Sequence, residues 1–320
     1  MPHVTFIHGI ANKPPKEKLL EDWKSYLTDG GLNLEDEAVT SSMVYWADVM
    51  YPEPESSDSA YEAVESDLGT KADDDGDLDW AKGLPDKEQA FVDAMRSRLG
   101  FDQESPDGDD HVAAPPTEPV DDFESTGGIA FEAVPLPWFI KRRVMKRFLK
   151  DVYYYLFNKD WTHATNGDTV KVQDHIRNLF IEQMKQDAAQ NSGGAHVVVS
   201  HSMGTVISYD CLKHVDDCPP IANYMTVGCP LGLSEVHDNF PGYNKKTAFP
   251  NARLVGDWVN IYDRLDPVAF DSKIANDYQK DSVAVIEDQK VKNDGAWRHS
   301  SWKYFGQAAL CNHLHNLLDL

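Results

Sequence analysis

Long apolar runs, clustered cysteines and a basic N-terminal segment are all missing from this chain of 320 residues. No uncharged apolar run approaches the roughly twenty residues that are needed to span a bilayer. The first ten residues, MPHVTFIHGI, lack the basic region and the cleavage site of a secretory signal. We therefore expect a cytoplasmic protein.

The cysteines are few and scattered. They show no C-x-x-C spacing and no clustering with histidines of the kind that a zinc site needs. The four are Cys211, Cys218, Cys229 and Cys311. We expect them to be small buried side chains, without a disulfide or metal role.

Basic residues are outnumbered by acidic ones, and most of the excess negative charge lies in one segment. The chain carries a net charge of -23, and residues 52–127 account for most of it, with 23 acidic against 5 basic side chains. Outside this stretch the charge is nearly balanced. A nucleic-acid-binding protein would need a basic surface, so this class is excluded.

The order of apolar segments predicts an α/β fold. Residues 4–9 and 41–50 have the character of buried strands, and Leu19, Trp23 and Leu27 between them have helical spacing. Such a β-α-β unit implies a parallel sheet with a right-handed crossover. The same alternation resumes at residue 169, where strands are predicted over 196–200, 222–228, 257–263 and 282–288 and helices over 169–190, 203–214 and 306–319.

Residues 51–165 interrupt this alternation and are predicted to be an insertion. The acidic part, 52–127, is rich in proline and glycine, and we expect it to be partly mobile apart from a helix over 84–99. The segment 137–159 is basic and aromatic and is predicted to be helical. Its apolar side could pack on the core, or it could form a cap or lid that contacts a membrane surface.

One motif carries chemistry: residues 196–204, HVVVSHSMG, lead from a valine-rich strand into S-x-S-x-G. The related G-x-S-x-G pattern needs small residues around a serine that sits on a tight turn between a strand and a helix. Ser200 and Gly204 supply them, with serine at the first position where the pattern has glycine. Ser202 is therefore the candidate nucleophile.

A serine nucleophile needs a base, and the base needs an acid to orient it. The acid candidates are Asp257, Asp263, Asp266 and Asp271. Asp257 lies at the start of its predicted strand, at the wrong end of the sheet, and Asp271 lies well beyond that strand. Asp266 follows the strand directly and precedes a proline, so we prefer it to Asp263, which is expected to end the strand or form a local turn.

The base candidates that follow Asp266 are three histidines. His313 and His315 fall in the predicted closing helix, whereas His299 lies in a polar and aromatic loop before that helix. Its separation from Asp266 leaves room for one helix and one strand. We therefore expect His299 to be the general base.

A tetrahedral intermediate also needs two backbone N–H donors. Met203, which follows the candidate nucleophile, would supply one of them. The turn of His8 and Gly9 after the first strand is placed to supply the second through the N–H of Ile10.

These features give the chain a resemblance to the serine esterase and lipase branch of the α/β-hydrolase superfamily. The resemblance rests on FIHG at 6–9, VVVSHSMG at 197–204, VGCPLG at 227–232, NIYDRLDPV at 260–268 and RHSSW at 298–302. It implies a single domain over residues 1–320 with a mostly parallel sheet flanked by helices and a large cap. It also implies a catalytic triad of Ser202, Asp266 and His299, an oxyanion hole formed by Ile10 and Met203, and an acyl-enzyme mechanism without metal or cofactor.

The expected function is thus hydrolysis of a small-molecule or lipid carboxylic ester. A lipase or phospholipase that uses 137–159 as an interfacial lid is the nearest alternative. Thioesterase activity would use the same triad. A non-catalytic protein that binds a basic partner through its acidic insert is the alternative from another class.

Overall fold

The computed structural model describes residues 1–51, 53–54, 78–99, 138–163, 167–191, 193–269, 271–295 and 297–320. Most of the acidic stretch 52–127 lies outside these residues, and its predicted partial mobility stays a prediction.

The described strands are, in chain order, β1 (His3–Ile7), β2 (Thr40–Val44), β3 (Asp160–Thr162), β4 (Thr169–Lys171), β5 (His196–His201), β6 (Asn223–Val227), β7 (Trp258–Tyr262) and β8 (Glu287–Lys290). The described α-helices are α1 (Lys16–Asp29), α2 (Ala47–Met50), α3 (Asp86–Arg98), α4 (Trp138–Leu156), α5 (Val172–Gln190), α6 (Met203–His214), α7 (Ser234–His237), α8 (Ser301–Phe305) and α9 (Ala308–Leu317). None of these helices has the combined length and apolarity that crossing a membrane requires.

Six strands form one sheet in the order β2-β1-β5-β6-β7-β8, and every neighbouring pair is parallel. Strand β2 therefore lies on one side of β1, and β5, the next strand of this sheet in the chain, lies on the other side. Loops diverge at such a reversal of strand order and leave a crevice at the carboxyl ends of the two strands. The ends of β1 and β5 are thus where a binding site is expected.

The residues of β5 show why helices cover both faces of the sheet. All six are buried. Val197 and Val199 join the apolar cluster that includes α1 and α9, whereas Val198 joins the cluster with α4, α5 and α6 on the opposite face. A parallel strand that is buried on both sides needs such a continuous apolar run. The predicted α/β class with a mostly parallel sheet is confirmed.

Two strand predictions need correction. The strand expected over 41–50 ends at Val44, and α2 follows it. The strand expected over 282–288 is displaced, since β8 spans Glu287–Lys290. Val283 belongs instead to a tight turn, in which it forms an isolated bridge with Lys280, and Val285 and Ile286 lie in irregular backbone before β8.

In segment 51–165, helix α4 packs on α5 and helix α3 packs on α4. Helix α3 contributes Val92 and Met95 to the cluster that contains α5 and α6, and α4 contributes Phe148, Val152 and Tyr155. The second half of α4 thus uses its apolar face as a core helix does. The side chains of 138–144 lie outside the described residues, and a lid or a membrane contact through 137–159 stays a prediction.

Candidate active site

Ser202 occupies a strained turn between β5 and α6. Its backbone angles are φ 55° and ψ -128°, a conformation that residues other than glycine rarely adopt and that persists only where the surroundings enforce it. Two glycines make the turn sterically feasible. A methyl group on Gly204 would lie 2.6 Å from the carbonyl oxygen of Ile7, and one on Gly9 would lie 2.6 Å from Ser202 Cβ.

The departure from glycine at the first motif position has a local explanation. Ser200 is fully buried in β5. Its hydroxyl lies 3.2 Å from the Tyr224 hydroxyl and 3.3 Å from the carbonyl oxygen of Met225 on β6. The serine side chain is therefore accommodated at this position, where the motif has glycine, because neighbouring polar groups bind its hydroxyl.

His299 and Asp266 form a buried pair. His299 Nδ1 lies 2.9 Å from Asp266 Oδ1 and 2.8 Å from Oδ2. The carboxylate also accepts the Tyr304 hydroxyl at 2.7 Å and the N–H of Val268 at 2.8 Å. Burial alone would raise the pKa of Asp266, but the neighbouring His299 and these hydrogen bonds outweigh it and hold the pKa below its usual value.

This pairing fixes the proton on the imidazole. Because the Asp266 carboxylate can only accept, Nδ1 of His299 carries the hydrogen and Nε2 presents its lone pair. Within the described part of the chain, His299 Nε2 and Ser202 Oγ are both buried and have no hydrogen-bond partner. Buried polar atoms are nearly always paired, so two unpaired ones at the same end of the sheet mark a place where a reaction partner is expected.

Two contacts connect the serine turn to the His299–Asp266 pair. The Ser202 N–H donates to the carbonyl oxygen of Val227 at 3.0 Å. The next residue, Gly228, lies against the pair, since a methyl group there would be 3.1 Å from Asp266 Oδ2 and 3.2 Å from His299 Cε1. The structure thus brings the three predicted triad residues to one end of the sheet.

His201 is a supporting residue that the sequence reasoning missed. Its ring stacks on that of His299 with centroids 4.8 Å apart, and its Nε2 lies 2.8 Å from the carbonyl oxygen of His299. Burial and the neighbouring His299 hold the pKa of His201 well below its usual value. The ring is therefore neutral, and it donates from Nε2. Its position between the two serines of the motif was the available signal.

Asp263, the alternative acid, makes other contacts. It accepts the N–H groups of Leu265 at 2.8 Å and Asn293 at 2.6 Å, and Arg298 Nη1 lies 3.2 Å from Oδ2. No hydrogen bond or ion pair joins Asp263 to His299 among the described residues. Asp263 therefore ties the loop that carries His299 to the end of β7.

The loop after β1 contains one of the two predicted backbone donors, the Ile10 N–H. His8 is fully buried, its Nδ1 donates to the carbonyl oxygen of Gly9 at 2.9 Å, and its Nε2 accepts the Trp46 N–H at 3.0 Å. Burial, with a smaller effect of Lys13, lowers the pKa of His8 to about 3, so the ring is neutral. This bonding fixes the turn from which the Ile10 N–H projects.

The two predicted oxyanion donors are free to bind a ligand. In the residues that the structure describes, neither the Ile10 N–H nor the Met203 N–H donates to a protein acceptor. Met203 is the first residue of α6, where backbone N–H groups lack intrahelical partners and the helix dipole favours negative charge. Gly9, next to Ile10, contacts Ser202 directly.

A separate polar cluster lies at the amino ends of β1 and β5, away from the end of the sheet where Ser202 lies. Among the described residues, His3, Asp187 and His196 form the group whose ligand atoms could surround a metal ion, within 4.8 Å of one another. Hydrogen bonds already engage these atoms, since Thr5 Oγ1 donates to Asp187 at 2.6 Å and lies 2.8 Å from His196 Nε2, and Ser42 Oγ donates to Asp187 at 2.6 Å. The cluster thus connects β1, β2 and β5 to α5.

This cluster predicts how stability depends on pH. Burial, with a smaller effect of the nearby His3, lowers the pKa of His196 from 6.5 to about 4. The stabilisation by neutral His196 is complete above pH 6.5 and is lost as the pH falls from 6.5 through 4, since the unfolded chain takes up the proton first. We expect urea unfolding to show a loss of about 3 kcal/mol over this window from His196 alone.

His196→Gln should make this part of the pH profile less steep, and His175→Gln, which replaces an exposed histidine of α5, should leave it unchanged. The pKa of Asp187 is lowered to about 2 despite the effect of burial, because His3, Ser42 and Thr5 bind its carboxylate. Its contribution is lost only below pH 3.8, outside the window. An unchanged profile in His196→Gln would contradict the assignment.

The chain matches no protein-family model and no curated protein sequence. The functional assignment therefore rests on the geometry described above.

Proposed function

We propose that this protein is a carboxylic ester hydrolase of the α/β-hydrolase type, with Ser202 as nucleophile, His299 as general base and Asp266 as the acid that orients His299. One observation carries the proposal. Ser202 Oγ and His299 Nε2 are buried without hydrogen-bond partners among the described residues, while Nδ1 of the same imidazole is bound to Asp266.

The location of the site supports the proposal. Ser202 follows β5 and His8 follows β1, the two strands between which the strand order reverses. Asp266 follows β7, so the acid also comes from the carboxyl end of a parallel strand. Ligand sites in open parallel sheets occur at this end, and a serine at the strand-to-helix turn is the arrangement of the nucleophile in α/β-hydrolases.

The proposed reaction has two halves. Ser202 Oγ attacks the acyl carbon of the ester as its proton passes to His299 Nε2. The tetrahedral oxyanion accepts hydrogen bonds from the Ile10 and Met203 N–H groups, which are otherwise unengaged in the described structure. His299 then protonates the departing alcohol oxygen, and the acyl group stays on Ser202.

Water completes the cycle. It attacks the acyl carbon while His299 Nε2 takes its proton, and Ser202 Oγ leaves and recovers that proton. The ionised Asp266 stabilises the imidazolium in both halves, because its carboxylate already contacts Nδ1 at 2.8 Å. The ester's acyl and alcohol groups are not specified by these residues, so the proposal covers small-molecule and lipid esters.

Labelling with a fluorophosphonate tests the proposal most directly. We expect the probe to form a covalent adduct that peptide mass spectrometry locates on Ser202, with p-nitrophenyl acetate and butyrate turned over by the unlabelled protein and not by the labelled one. Ser234→Ala, which removes an exposed serine of α7, should label normally. Folded protein without an adduct and without ester turnover would refute the assignment.

A further inference from the structure

The loop between β1 and α1 contains a second strained residue. Ala11 has φ 65°, in the left-handed region that a residue with a Cβ adopts only when its surroundings compensate. Its N–H donates to Asp151 Oδ2 at 2.9 Å, across a sequence separation of 140 residues. Asp151 lies on α4, so the basic and aromatic segment contributes a group that contacts the loop next to Ser202.

Both polar groups of the peptide unit between Ile10 and Ala11 are engaged. The Ile10 carbonyl oxygen accepts Lys13 Nζ at 2.5 Å, and the Ala11 N–H donates to Asp151. The preceding peptide unit is held on one side, since the Gly9 carbonyl oxygen accepts His8 Nδ1 at 2.9 Å. The group left for a ligand is the Ile10 N–H. The orientation of this donor therefore depends on the bonds that hold the two peptide planes.

The side chain of Asp151 is held in a fixed position. Its side chain is fully buried, and Oδ1 accepts the Tyr51 hydroxyl at 2.9 Å. Burial raises the pKa of Asp151, opposed by the hydrogen bonds from Ala11 and Tyr51 and by the nearby Lys150 and Lys13. Helix α4 is itself fixed, because Phe148 and Val152 lie in the core cluster. A rigid acceptor on a packed helix can hold a loop in one conformation.

We propose that Asp151 is a positioning residue of the oxyanion hole: its carboxylate binds the Ala11 N–H and thereby aims the Ile10 N–H at the oxyanion. This inference rests on the proposed function. Through Asp151, segment 51–165 would contribute to catalysis whether or not it also forms a lid. Since the oxyanion hole acts on the transition state, losing the contact should lower kcat and leave KM nearly unchanged.

Three variants separate positioning from general destabilisation. Asp151→Leu removes the acceptor, and Asp151→Asn keeps an oxygen for the Ala11 N–H. Tyr155→Phe is the matched control, because it deletes another buried hydrogen bond of α4, the 2.7 Å bond to Asp210, away from the loop. The measurements are kcat and KM on p-nitrophenyl acetate, the second-order rate of fluorophosphonate labelling, and hydrogen exchange of peptides that cover residues 8–13.

We expect Asp151→Leu to lower kcat and the labelling rate by about 10- to 100-fold, less than the roughly 10²- to 10³-fold cost of losing an oxyanion donor outright. KM should change by less than about threefold. Exchange in residues 8–13 should accelerate. Asp151→Asn should recover kcat to within about fivefold of the original protein, and Tyr155→Phe should lower Tm with kcat within about twofold.

Several results would overturn the inference. These are an unchanged kcat in Asp151→Leu, equal losses in the Leu and Asn variants, or a loss in Tyr155→Phe as large as in Asp151→Leu. If Asp151→Leu does not fold, exchange in the unaltered protein decides, because an unprotected Ala11 N–H would mean that the bond to Asp151 is absent. A protein inert towards esters would refute the proposed function alone, and exchange in the Asp151 variants would still decide whether Asp151 holds the loop.

Discussion

Ser202→Ala and His299→Ala should each lower kcat on p-nitrophenyl esters by about 10⁶-fold, and the double variant should lose no more than either single one. Alanine at 202 removes the attacking oxygen. Alanine at 299 removes the proposed base, and Ser202 Oγ has no hydrogen-bond partner among the described residues that could replace it. Both residues take part in the same proton transfer, so removing either one abolishes that transfer. Removing the second should therefore cause no further loss of kcat.

The comparison needs a histidine control and a binding control. His313→Ala replaces a histidine of α9 whose Nε2 lies 3.4 Å from Gln289 Oε1, and it should keep kcat within about twofold, as surface substitutions usually do. KM should remain within a few-fold in every variant, because the triad acts on the transition state. Losses that multiply in the double variant would mean that Ser202 and His299 act separately.

The central sheet was largely predictable because each of its inner strands is a short apolar run followed by a turn. Strand β5 contains three consecutive valines and is buried on both faces, which a parallel sheet requires. Strand β8 was misplaced for the opposite reason. It lies at the sheet edge, has the sequence EDQK and is mostly exposed or half-buried. The apolar residues Val283 and Val285 just before it are exposed, so periodicity pointed to the wrong segment.

In the candidate site, the order of elements in the sequence predicted which residues lie on loops after strands. It did not predict contacts between residues that are distant in sequence. Ser202, Asp266 and His299 could be chosen because each follows an element whose type was readable. Tyr304 and Asp151 could not, since a hydroxyl on a short helix and a carboxylate in a basic helix carry no local pattern. Their contacts depend on how α8 and α4 pack.

Asp266→Asn should lower kcat by about 10⁴-fold through the tautomer of His299. The Val268 N–H is a fixed donor to Oδ1 at 2.8 Å, so the amide oxygen of asparagine must stay on that side. The amide NH₂ then takes the place of Oδ2, where His299 Nδ1 lies at 2.8 Å and the Tyr304 hydroxyl can rotate to accept. An NH₂ donor facing Nδ1 moves the imidazole proton to Nε2, and the base can no longer accept from Ser202.

Asp263→Asn is the decisive comparison, because Asp263 is the other carboxylate that could have been the acid. It binds Asn293 and Arg298 in the loop before His299, so its loss should loosen the loop and cost at most about tenfold in kcat, as for a single buried hydrogen bond to a charged group. Tyr304→Phe should cost less than Asp266→Asn, since the tautomer is kept. A loss of about 10⁴-fold in Asp263→Asn with little change in Asp266→Asn would transfer the acid role to Asp263 and require His299 to turn away from the partner that it has in this structure.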